Sequence, residues 1–412
     1  MPVARPRVLI SGASVAGPVL AYWLHRFGFV PTVIERTAEL RVGGGGHAVD
    51  LFGTVVELMD WMGLLDAVEQ ARTKTEVIAL VLADGRSYDV PAEMASEGVS
   101  RNHIEIMRGD LAAILYDAAR DDVEYVFGDS IASLHDDGTQ VEVTFERGAP
   151  RTFDLVVGAD GIHSVTRRLV FGPEEPFLRF LGGYLGVFTV PNHLHLDNRM
   201  IAFSVPGRVA AIYPVGDLTE MRAGFLWRTP HLHDYDRHDQ VAQRRLIHNL
   251  YGDLGWEVPR LLAGLDQADD LYLDSMSQVL LDSWTRGRVA LVGDAGYSPG
   301  QAVGGGTSLA IIGAYVLASE LVKADGDHRR GFAAYQRALG PVVRQSRLIG
   351  PTAINLVIPR THLQIWTIAQ GMRMLPHLPV QLRRQLTRFG GSAAAMLDQA
   401  HLASPDELPR LG

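Results

Sequence analysis

The chain has 412 residues, 47% hydrophobic and 21% charged, which is enough for one large or two interlocked globular domains with a substantial core. Its formal net charge is -9, which argues against a nucleic-acid partner because phosphate neutralisation needs clustered cations. It has no cysteine, which excludes disulfides, zinc–thiolate sites and redox-active thiols.

The N-terminal segment predicts a strand, a turn, a helix and a second strand, over residues 7–11, 12–17, 18–27 and 31–35. This order forms a right-handed crossover and makes the two strands parallel. The apolar run over residues 8–24 is broken by glycine and proline, so it does not predict a secretion signal. The chain has no uninterrupted apolar stretch of membrane-spanning length, and we expect a soluble, cytoplasmic protein.

Gly12, Ser14 and Gly17 stand at the three glycine positions of a dinucleotide-binding loop, with a serine in the middle. In such loops the first residue makes a tight turn, the second admits the pyrophosphate and the third lets helix and strand pack closely. The N–H groups and the dipole at the helix start favour phosphate charge. Glu35 ends the next strand, where an acid accepts hydrogen bonds from the adenosine ribose. This motif by itself does not distinguish NAD from FAD.

Two later strands complete the same sheet and end in acidic turns. The first covers residues 154–158 and precedes Asp160 and Gly161; the second covers residues 288–292 and precedes Asp294, Pro299 and the glycine run 304–306. We expect Asp294 to accept a hydrogen bond from a ribityl hydroxyl. The backbone N–H groups of Gly304, Gly305 and Gly306 would face a flavin carbonyl at a helix start, where negative charge develops on reduction.

The residues between these pieces predict a second region built on an antiparallel sheet. Runs rich in β-branched and aromatic residues predict strands over residues 185–190, 199–205, 209–214 and 221–229, followed by helices over 238–251 and 258–263. After residue 308 the pattern is helical nearly to the end. Gly-Pro pairs at 340–341 and 350–351 and the prolines of 376–379 predict interruptions, and the last dozen residues look loosely held.

In combination, the three motifs resemble those of the group A flavoprotein monooxygenases of the aromatic-ring-hydroxylase type. The resemblance spans residues 7–341 and includes Arg36 and Arg108, the latter at a predicted helix start. It also includes Trp284, Gly287 and Arg288, which precede the pair Gly293-Asp294. Within this group the chain is similar to the short tetracycline-inactivating monooxygenases, which lack the C-terminal thioredoxin-like domain of the longer polyketide hydroxylases.

The resemblance implies an α/β fold. We expect a Rossmann-like FAD-binding domain assembled from discontinuous segments, with an inserted antiparallel-sheet substrate domain and C-terminal helices. The expected boundaries are residues 1–171 and 285–345 for the FAD-binding domain, with a substrate-side insertion around 75–105, residues 172–284 for the substrate domain, and 346–412 for the C-terminal helical region.

The resemblance also assigns individual residues to the cofactor. Those expected to bind FAD are Gly12, Ser14, Gly17, Glu35, Arg36, Arg108, Asp294, Pro299 and Gly306. Asp160 and Gly161 belong to the turn that the family ties to both FAD and nicotinamide binding. The chain departs from the family at Gly296 and Tyr297, where Ala-His is common, and at the run that begins with Val303, where a small-Gly-Gln-Gly run is usual. We expect both departures to lie beside the flavin ring.

The chemistry implied by the resemblance belongs mostly to the cofactor. NADPH or NADH reduces the flavin, with NADPH preferred; O2 then adds at C4a, and one oxygen atom passes to the substrate. We expect one noncovalently bound FAD per chain and no metal. His47, which follows the glycine run 43–46, is the best titratable catalytic candidate because the family places this stretch near the ring. A structural or merely exposed histidine explains it as well.

Other flavin enzymes fit the sequence less well. A halogenase carries a Trp-x-Trp-x-Ile-Pro stretch and an active-site lysine, but here the stretch is missing and Lys74 and Lys323 lie outside every motif. A Baeyer–Villiger oxygenase with two nucleotide domains needs a second glycine motif after a strand, and the run 43–46 follows none. Epoxidation or Baeyer–Villiger oxidation on this scaffold stays open, as do a flavin-dependent reductase and a flavin-binding protein without turnover.

The predicted strands also suggest a substrate pocket. Alternate residues of a strand share a face, which groups Tyr184 with Phe188 and Arg222 with Gly224. With Phe203 and Tyr213 on intervening strands, these residues suggest an apolar wall beside one arginine; sheet core explains the aromatic residues equally well. A buried arginine needs an acceptor, so we expect a large hydrophobic substrate with an acidic oxygen opposite Arg222.

The C-terminal stretch 354–375 contains Trp366 and scattered arginines. We expect it to pack across both regions as a helix rather than to lie on a membrane surface.

Overall fold

Strand β1 (Arg7–Ser11) leads through the glycine turn into helix α1 (Ala16–Arg26), and strand β2 (Val30–Glu35) returns parallel to β1. The helix starts two residues before its predicted start because Pro18 is tolerated in a first turn, where no N–H needs an intrahelical partner. The computed structural model describes residues 5–40, 46–96, 103–216, 218–233, 236, 239–388 and 402–411.

The remaining strands, in chain order, are β3 (Ala48–Leu51), β4 (Val77–Leu82), β5 (Ser87–Pro91), β6 (Ile104–Met107), β7 (Glu124–Phe127), β8 (Ile131–Asp136), β9 (Val141–Phe145), β10 (Arg151–Phe153), β11 (Leu155–Gly158), β12 (Leu178–Pro191), β13 (Arg199–Val205), β14 (Arg208–Val215), β15 (Glu220–Arg228), β16 (Tyr272–Val279), β17 (Thr285–Arg286) and β18 (Val289–Leu291). The remaining helices are α2 (Gly53–Trp61), α3 (Leu65–Gln70), α4 (Ala92–Ser96), α5 (Arg108–Asp117), α6 (Val165–Phe171), α7 (Gln240–Tyr251), α8 (Val258–Gln267), α9 (Asp294–Tyr297), α10 (Gly306–Lys323), α11 (His328–Val357), α12 (His362–Met374) and α13 (Val380–Arg388).

Three distant pieces of chain build one sheet, as the sequence predicts. Of the strands that the structure describes, six form this sheet in the order β17-β18-β11-β1-β2-β7, and all of its pairs are parallel except that of β17 with β18. Helices α1 and α10 cover one face, and the smaller sheet of β8, β9 and β10 covers the other. Because both faces are covered, the central strands are almost wholly apolar. The predicted Rossmann-like architecture is confirmed.

A second sheet carries the residues of the intervening region. Seven of the described strands form it in the order β16-β12-β15-β14-β13-β4-β5. It is not purely antiparallel, because β4 pairs in parallel with β13. These two strands come from parts of the chain more than a hundred residues apart, and such a long connection permits a parallel pair.

The two faces of the second sheet pack against different parts of the protein. We call the face that carries Leu185, Ala202 and Leu226 the inner face, because these side chains pack toward Ala302 in the loop after β18. We call the opposite face the outer face; its side chains pack with Tyr251 of α7 and with residues of α8. The loop that contains Ala302 also contains the predicted cofactor residues, so the inner face is the one turned toward them.

Helix α11 runs without a break through Pro341 and Pro351, so the interruptions predicted at these two prolines are wrong. The interruption predicted at 376–379 lies between α12 and α13, as expected. An interior proline costs a helix about 3 kcal/mol. Here the loss is offset by a buried face along most of the helix, which includes Leu339, Val343 and Ile354. Asp327 caps the N-terminus by accepting from the N–H groups of Arg329 and Arg330.

The C-terminal segments pack onto both regions. Helix α12 packs against β5 through Ile365 and Ala369, while Trp366 on its other side is half exposed. Residues 402–411 are not loose: the Leu411 N–H donates to the Phe27 carbonyl at 2.9 Å. The Tyr315 hydroxyl donates to the Ala403 carbonyl at 2.6 Å.

Within the described residues, α10 is the one helix long and apolar enough to cross a membrane. It lies between α1 and α11, and 78% of its residues are buried inside the protein. Such burial is what the core helix of a two-layer domain requires.

Gly350 tests how closely α11 must approach the loop after β18. A Cβ at this position would lie 2.5 Å from the Gln278 amide nitrogen and 3.2 Å from the Pro299 carbonyl. We expect Gly350→Ala to lower the free energy of unfolding by about 1–3 kcal/mol through overpacking. Gly371→Ala, in α12 with no atom within 4 Å, is the control and should stabilise by roughly 0.5–1 kcal/mol. Urea unfolding measures both, and equal effects would contradict the close contact.

Candidate active site

The glycine loop after β1 is held tight by two backbone contacts that exclude side chains. A Cβ on Gly12, whose φ is +110°, would lie 2.5 Å from the Ala159 carbonyl oxygen, and one on Gly17 would lie 1.9 Å from the Gly12 carbonyl oxygen. Within the described part of the chain, no side chain caps the start of α1. The loop therefore leaves the N–H groups and the dipole of this helix start open to an anion.

Glu35 lies beside this loop. Its Oε2 accepts a hydrogen bond from the Ala13 N–H at 3.0 Å, and its Oε1 accepts from the Thr37 N–H and hydroxyl at 3.0 Å each. These bonds hold the carboxylate at the end of β2, where a ribose would need it. The neighbouring Arg36 is exposed.

Arg108, at the start of α5, reaches the same loop. Its Nη2 donates to the Ser14 hydroxyl at 3.0 Å, and its backbone N–H donates to the His47 carbonyl at 3.3 Å. The serine at the middle position of the loop thus has a partner in the arginine that the family assigns to FAD. The two predicted cofactor residues lie together although 94 positions separate them.

The acidic turn after β11 is organised by Asp160. Its carboxylate accepts from the Thr166 N–H at 2.9 Å, the Thr166 hydroxyl at 3.0 Å and the Ser164 hydroxyl. These bonds fix the start of α6. Gly161 has a φ of +79° and open space around its Cα.

Arg167 joins this turn to the segment after β18. It is fully buried, and its Nη1 donates to the Ala295 carbonyl at 2.9 Å. Its Nη2 donates to the Ile162 carbonyl at 2.6 Å. Arg167 lies in α6, directly after the turn of Asp160, and no local pattern indicates that it bridges two of the three pieces of the sheet.

Asp294 lies on the wall of a cavity that is open to solvent. Burial raises the pKa of this carboxyl, while a hydrogen bond from Ser298 and the charge of Arg108 oppose the rise. The residue is nevertheless exposed to solvent. A group that is surrounded by protein and still at least partly exposed lines a deep, solvent-accessible cavity. His47, Tyr213 and Tyr272 share this combination.

The glycines after Asp294 also suit a ligand. Gly304 has open space around it, and Gly305, in the left-handed conformation, precedes the uncapped start of α10. A Cβ on Gly306 would lie 4.0 Å from the Asp294 carboxylate. Pro299 holds the loop through its carbonyl, which accepts from the Gln278 side chain at 3.0 Å.

These features fit FAD. The structure offers two uncapped helix starts, at α1 and α10, an acid at the end of β2, and Asp294 on the cavity wall between them. The helix starts supply donors for phosphates or for a ring carbonyl, and the two acids accept from hydroxyl groups.

One departure from the family does not lie where we expected it. Tyr297 is fully buried in the main core, where its hydroxyl bonds that of Tyr335 at 2.9 Å and its ring packs on Trp284. It has no exposed surface and cannot touch a ligand in the cavity, so the expectation that it lies beside the ring is wrong. Val303, at the other departure, is also buried.

His47 is held neutral at physiological pH. Burial and the charge of Arg108 lower its pKa to about 4, although Asp50 acts in the opposite direction. Its Nδ1 has no hydrogen-bond partner among the described residues. Positions 43–45 of the glycine run lie outside the described residues.

The inner face of the second sheet brings Arg222, Gly224 and Tyr213 to the same side. The register places Tyr213 opposite Arg222 on β14 and β15. The Tyr213 hydroxyl accepts from the Ala48 N–H at 3.2 Å. Arg222 is buried, and its Nη1 lies 3.2 Å from the Asp270 carboxylate. The protein itself thus supplies the acceptor that we expected from a substrate, and the inference of an acidic substrate oxygen no longer follows.

Tyr184, Phe188 and Phe203 lie on the outer face, so their assignment to the pocket is wrong. The register pairs Phe188 with Ala223 and Thr189 with Arg222, which puts Phe188 and Arg222 on opposite faces. Tyr184 stacks on Trp227, and Phe203 stacks on Trp256. All three belong to the core that helices α7 and α8 cover.

Two residues near the cavity, Tyr272 and Asp274 of β16, are not predicted by the sequence. The Tyr272 hydroxyl donates to Asp274 Oδ2 at 3.1 Å. Neither residue lies in a motif, and no local pattern marks them.

Comparison with known proteins agrees with this geometry. Residues 5–345 match the model of the FAD binding domain family. The chain is 45% identical over 330 residues to an uncharacterized protein of Mycobacterium tuberculosis, which covers 80% of this chain and 88% of that protein. It is 37% identical over 344 residues to a flavin-dependent monooxygenase of Legionella longbeachae, and the match covers 84% of this chain and 87% of that protein. The crystal structure of tetracycline destructase Tet(51) superposes with a TM-score of 0.81 at 33% identity, with 97% of this chain and 99% of that chain covered.

Asp294 should contribute directly to cofactor affinity. We expect Asp294→Ala to weaken FAD binding by about 1–3 kcal/mol through a lost hydrogen bond. Fluorescence titration of the apoprotein with FAD measures the change. Asp121→Ala, at a side chain that is 93% exposed, is the control, and equal affinities for the two variants would show that Asp294 does not contact the cofactor.

His47 should stay neutral until the solution is strongly acidic. Its pKa falls from 6.5 to about 4 on folding, so the unfolded chain binds this proton first as the pH drops. The contribution of this site to the free energy of unfolding is therefore fully present above pH 6.5. It falls by up to about 3 kcal/mol as the pH drops toward 4. We expect His47→Gln to flatten this part of the stability profile. An NMR titration of the His47 ring with a midpoint near 6.5 would contradict the burial argument.

Proposed function

We propose that this chain, which belongs to the FAD binding domain family of flavin-dependent monooxygenases, hydroxylates a hydrophobic, polycyclic aromatic or natural-product substrate with NAD(P)H and O2. The chain is an FAD-dependent oxidoreductase. The observation that carries the proposal is the position of the apolar inner face, which lies beside the loop of Ala302 near the cavity lined by Asp294.

The chain's own residues would hold the cofactor at both ends. The start of α1 would bind the pyrophosphate, Glu35 the adenosine ribose, and Asp294 a ribityl hydroxyl, with Arg108 beside the glycine loop. When bound, FAD supplies the redox chemistry: it takes a hydride from NAD(P)H and, once reduced, activates O2. The N–H groups at the start of α10 would stabilise negative charge on the ring.

The inner face would orient the substrate and exclude water. Leu185, Ala202 and Leu226 offer an apolar surface, and Gly224 leaves space between them. Water-excluded surroundings strengthen every electrostatic interaction in the site and protect reactive species from water. At neutral pH the uncharged His47 would add no cation to this apolar surface.

The size of the substrate is inferred from the same face and from one relative. The name of the similar structure Tet(51) identifies tetracycline, a four-ring molecule, as what that protein destroys. We propose a multi-ring substrate for this chain. Arg222 and Tyr213 would mark the polar end of the pocket, with Arg222 held in place by Asp270.

The nicotinamide co-substrate would bind only transiently. Within the described residues, the strand-turn-helix unit at Gly12 is the one that carries a glycine phosphate loop. We propose NADPH as the donor and a cytoplasmic enzyme that needs no separate reductase.

Purified protein tests this proposal directly. We expect yellow protein whose FAD is released by acid, and a subset of multi-ring compounds that accelerate NADPH oxidation with matching O2 uptake and an oxygenated product. Flavin that only a partner reductase can reduce would contradict the single-component enzyme. Stimulated O2 uptake that yields hydrogen peroxide and no oxygenated product, with every compound, would contradict monooxygenation.

Gly224 tests whether substrate lies on the inner face. Its Cβ would meet only ordinary contacts, the nearest being Leu226 at 3.7 Å, so a larger side chain can extend into the space above the sheet. We expect Gly224→Leu to raise the KM for substrate at least tenfold, or to abolish stimulation of NADPH oxidation, with FAD occupancy unchanged.

The control is Gly186→Ala, on the adjacent strand β12. Its Cβ points to the outer face and meets Ile247 at 3.3 Å, so a small loss of stability with unchanged kinetics is expected. Wild-type kinetics in Gly224→Leu would show that the substrate does not lie on this part of the inner face.

A further inference from the structure

Four titratable side chains form a continuous line between the cavity and the protein surface. The Tyr272 hydroxyl donates to Asp274 Oδ2 at 3.1 Å, and His163 Nε2 lies 3.3 Å from Asp274 Oδ1. On the other side of the ring, His163 Nδ1 lies 3.2 Å from both carboxylate oxygens of Glu174. The longest of these distances, 3.3 Å between His163 and Asp274, is that of a weak hydrogen bond.

The inner end of the line lies at the cavity. Burial raises the pKa of the Tyr272 phenol far above its usual range, with the charge of Asp274 adding to the rise. The same side chain is partly accessible to water-sized space, and the charges of Arg108 and Asp294 both act on it. Tyr272 is therefore a protonated hydroxyl group on the wall that Asp294 shares.

The outer end reaches solvent. The side chains of His163 and Glu174 are 27% and 28% exposed, whereas that of Asp274 is 11% exposed. Burial alone would lower the pKa of His163, but its bonds to Asp274 and Glu174 raise it to about 9. At neutral pH the ring therefore carries a proton on each nitrogen, between two acceptors. The buried Arg167 also contacts Glu174 at 3.4 Å.

The proposed reaction requires protons to enter this cavity. In each turnover NAD(P)H, one proton, O2 and the substrate give NAD(P)+, water and the hydroxylated product. Two electrons come from the hydride, one oxygen atom enters the substrate, and the other leaves as water. The proton comes from solvent, and a site that excludes water when cofactor and substrate are bound has few groups that can pass the proton inward.

We propose that Glu174, His163, Asp274 and Tyr272 form the path that carries this proton from solvent to the cavity. The need for it rests on the proposed function. His163 passes its Nε2 proton to Asp274, and the neutral ring, which keeps its Nδ1 proton, turns so that its bare nitrogen takes up a replacement proton from the side of Glu174. Protonated Asp274 then donates to the Tyr272 oxygen, while the Tyr272 hydroxyl turns and releases its own proton into the cavity. Tyr272 remains neutral throughout, in keeping with its burial.

Two variants keep the packing and interrupt the path. Tyr272→Phe removes only the hydroxyl group, and His163→Gln keeps hydrogen-bonding atoms between the two carboxylates but cannot exchange protons as a ring does. His193→Gln is the matched control. His193 is also a partly buried histidine that pairs with a carboxylate, Glu257 at 3.1 Å, but it lies beside α8 on the outer face.

The test uses FAD-loaded protein and needs no substrate. Two-electron reduction of bound FAD by reduced methyl viologen, which releases no proton when it is oxidised, takes up at least one proton. Anaerobic stopped-flow measurement with a pH indicator therefore follows flavin bleaching and proton uptake together. We expect the two to coincide in the wild type and in His193→Gln. In Tyr272→Phe and His163→Gln, proton uptake should lag behind bleaching by roughly tenfold or more. Imidazole added to His163→Gly should restore the rate of proton uptake.

Each outcome decides the proposal. Proton uptake that keeps pace with bleaching in both path variants would overturn it. Lower FAD occupancy or a lower Tm, with wild-type proton uptake once FAD is saturating, would assign these residues a structural role and overturn it too. A clear lag that imidazole rescues would support the path even if no compound stimulates O2 uptake, and that second result would count against the proposed function alone.

Discussion

The buried guanidinium of Arg167 holds together the parts from which the active site is assembled. It donates to the carbonyl groups of Ile162 and Ala295, which lie in two turns more than a hundred residues apart in sequence. A buried charge without such partners would cost several kcal/mol. The two hydrogen bonds therefore fix the distance and the orientation between the two turns. Asp160 and Gly161 on one turn and Asp294 on the other are thereby placed relative to each other. The helix starts at α1 and α10 meet at the same edge of the parallel sheet, which is where such sheets bind ligands.

The second sheet serves the site through only one of its faces. Its outer face holds most of the large aromatic side chains, because helices α7 and α8 supply a partner that can bury them completely. Its inner face holds smaller side chains, among them Ala202 and Gly224, and so leaves space opposite the loop of Ala302.

Charge is distributed around the cavity rather than within its apolar part. His47 is neutral because burial and Arg108 both oppose its protonation, whereas His163 is cationic because two carboxylates flank it. Histidine is therefore neutral at one site and cationic at the other, and the neighbouring groups decide which charge state it has. Arg222 and Asp270 compensate each other at the polar end of the inner face. The cavity thus has ionised groups at its margins and a face that can exclude water.

The sequence by itself determined the cofactor-binding half of this protein. Gly17 faces the Gly12 carbonyl so closely that only glycine fits, and this contact lies within six residues of chain, so a local motif reports it faithfully. The order of the three motifs likewise predicted one sheet built from three pieces, because each acidic turn needs its own strand.

Tertiary structure alone decided the rest. Alternation along β12 and β15 separates two faces but does not say which one meets the loop of Ala302, so Phe188 was assigned to the wrong side. Likewise, the partner of Arg222 lies 48 positions away and that of His163 lies 111 positions away. Packing likewise carries α11 through two prolines that, taken locally, end a helix. Burial and ion pairing depend on what the completed fold brings together, and no single stretch of sequence contains that information.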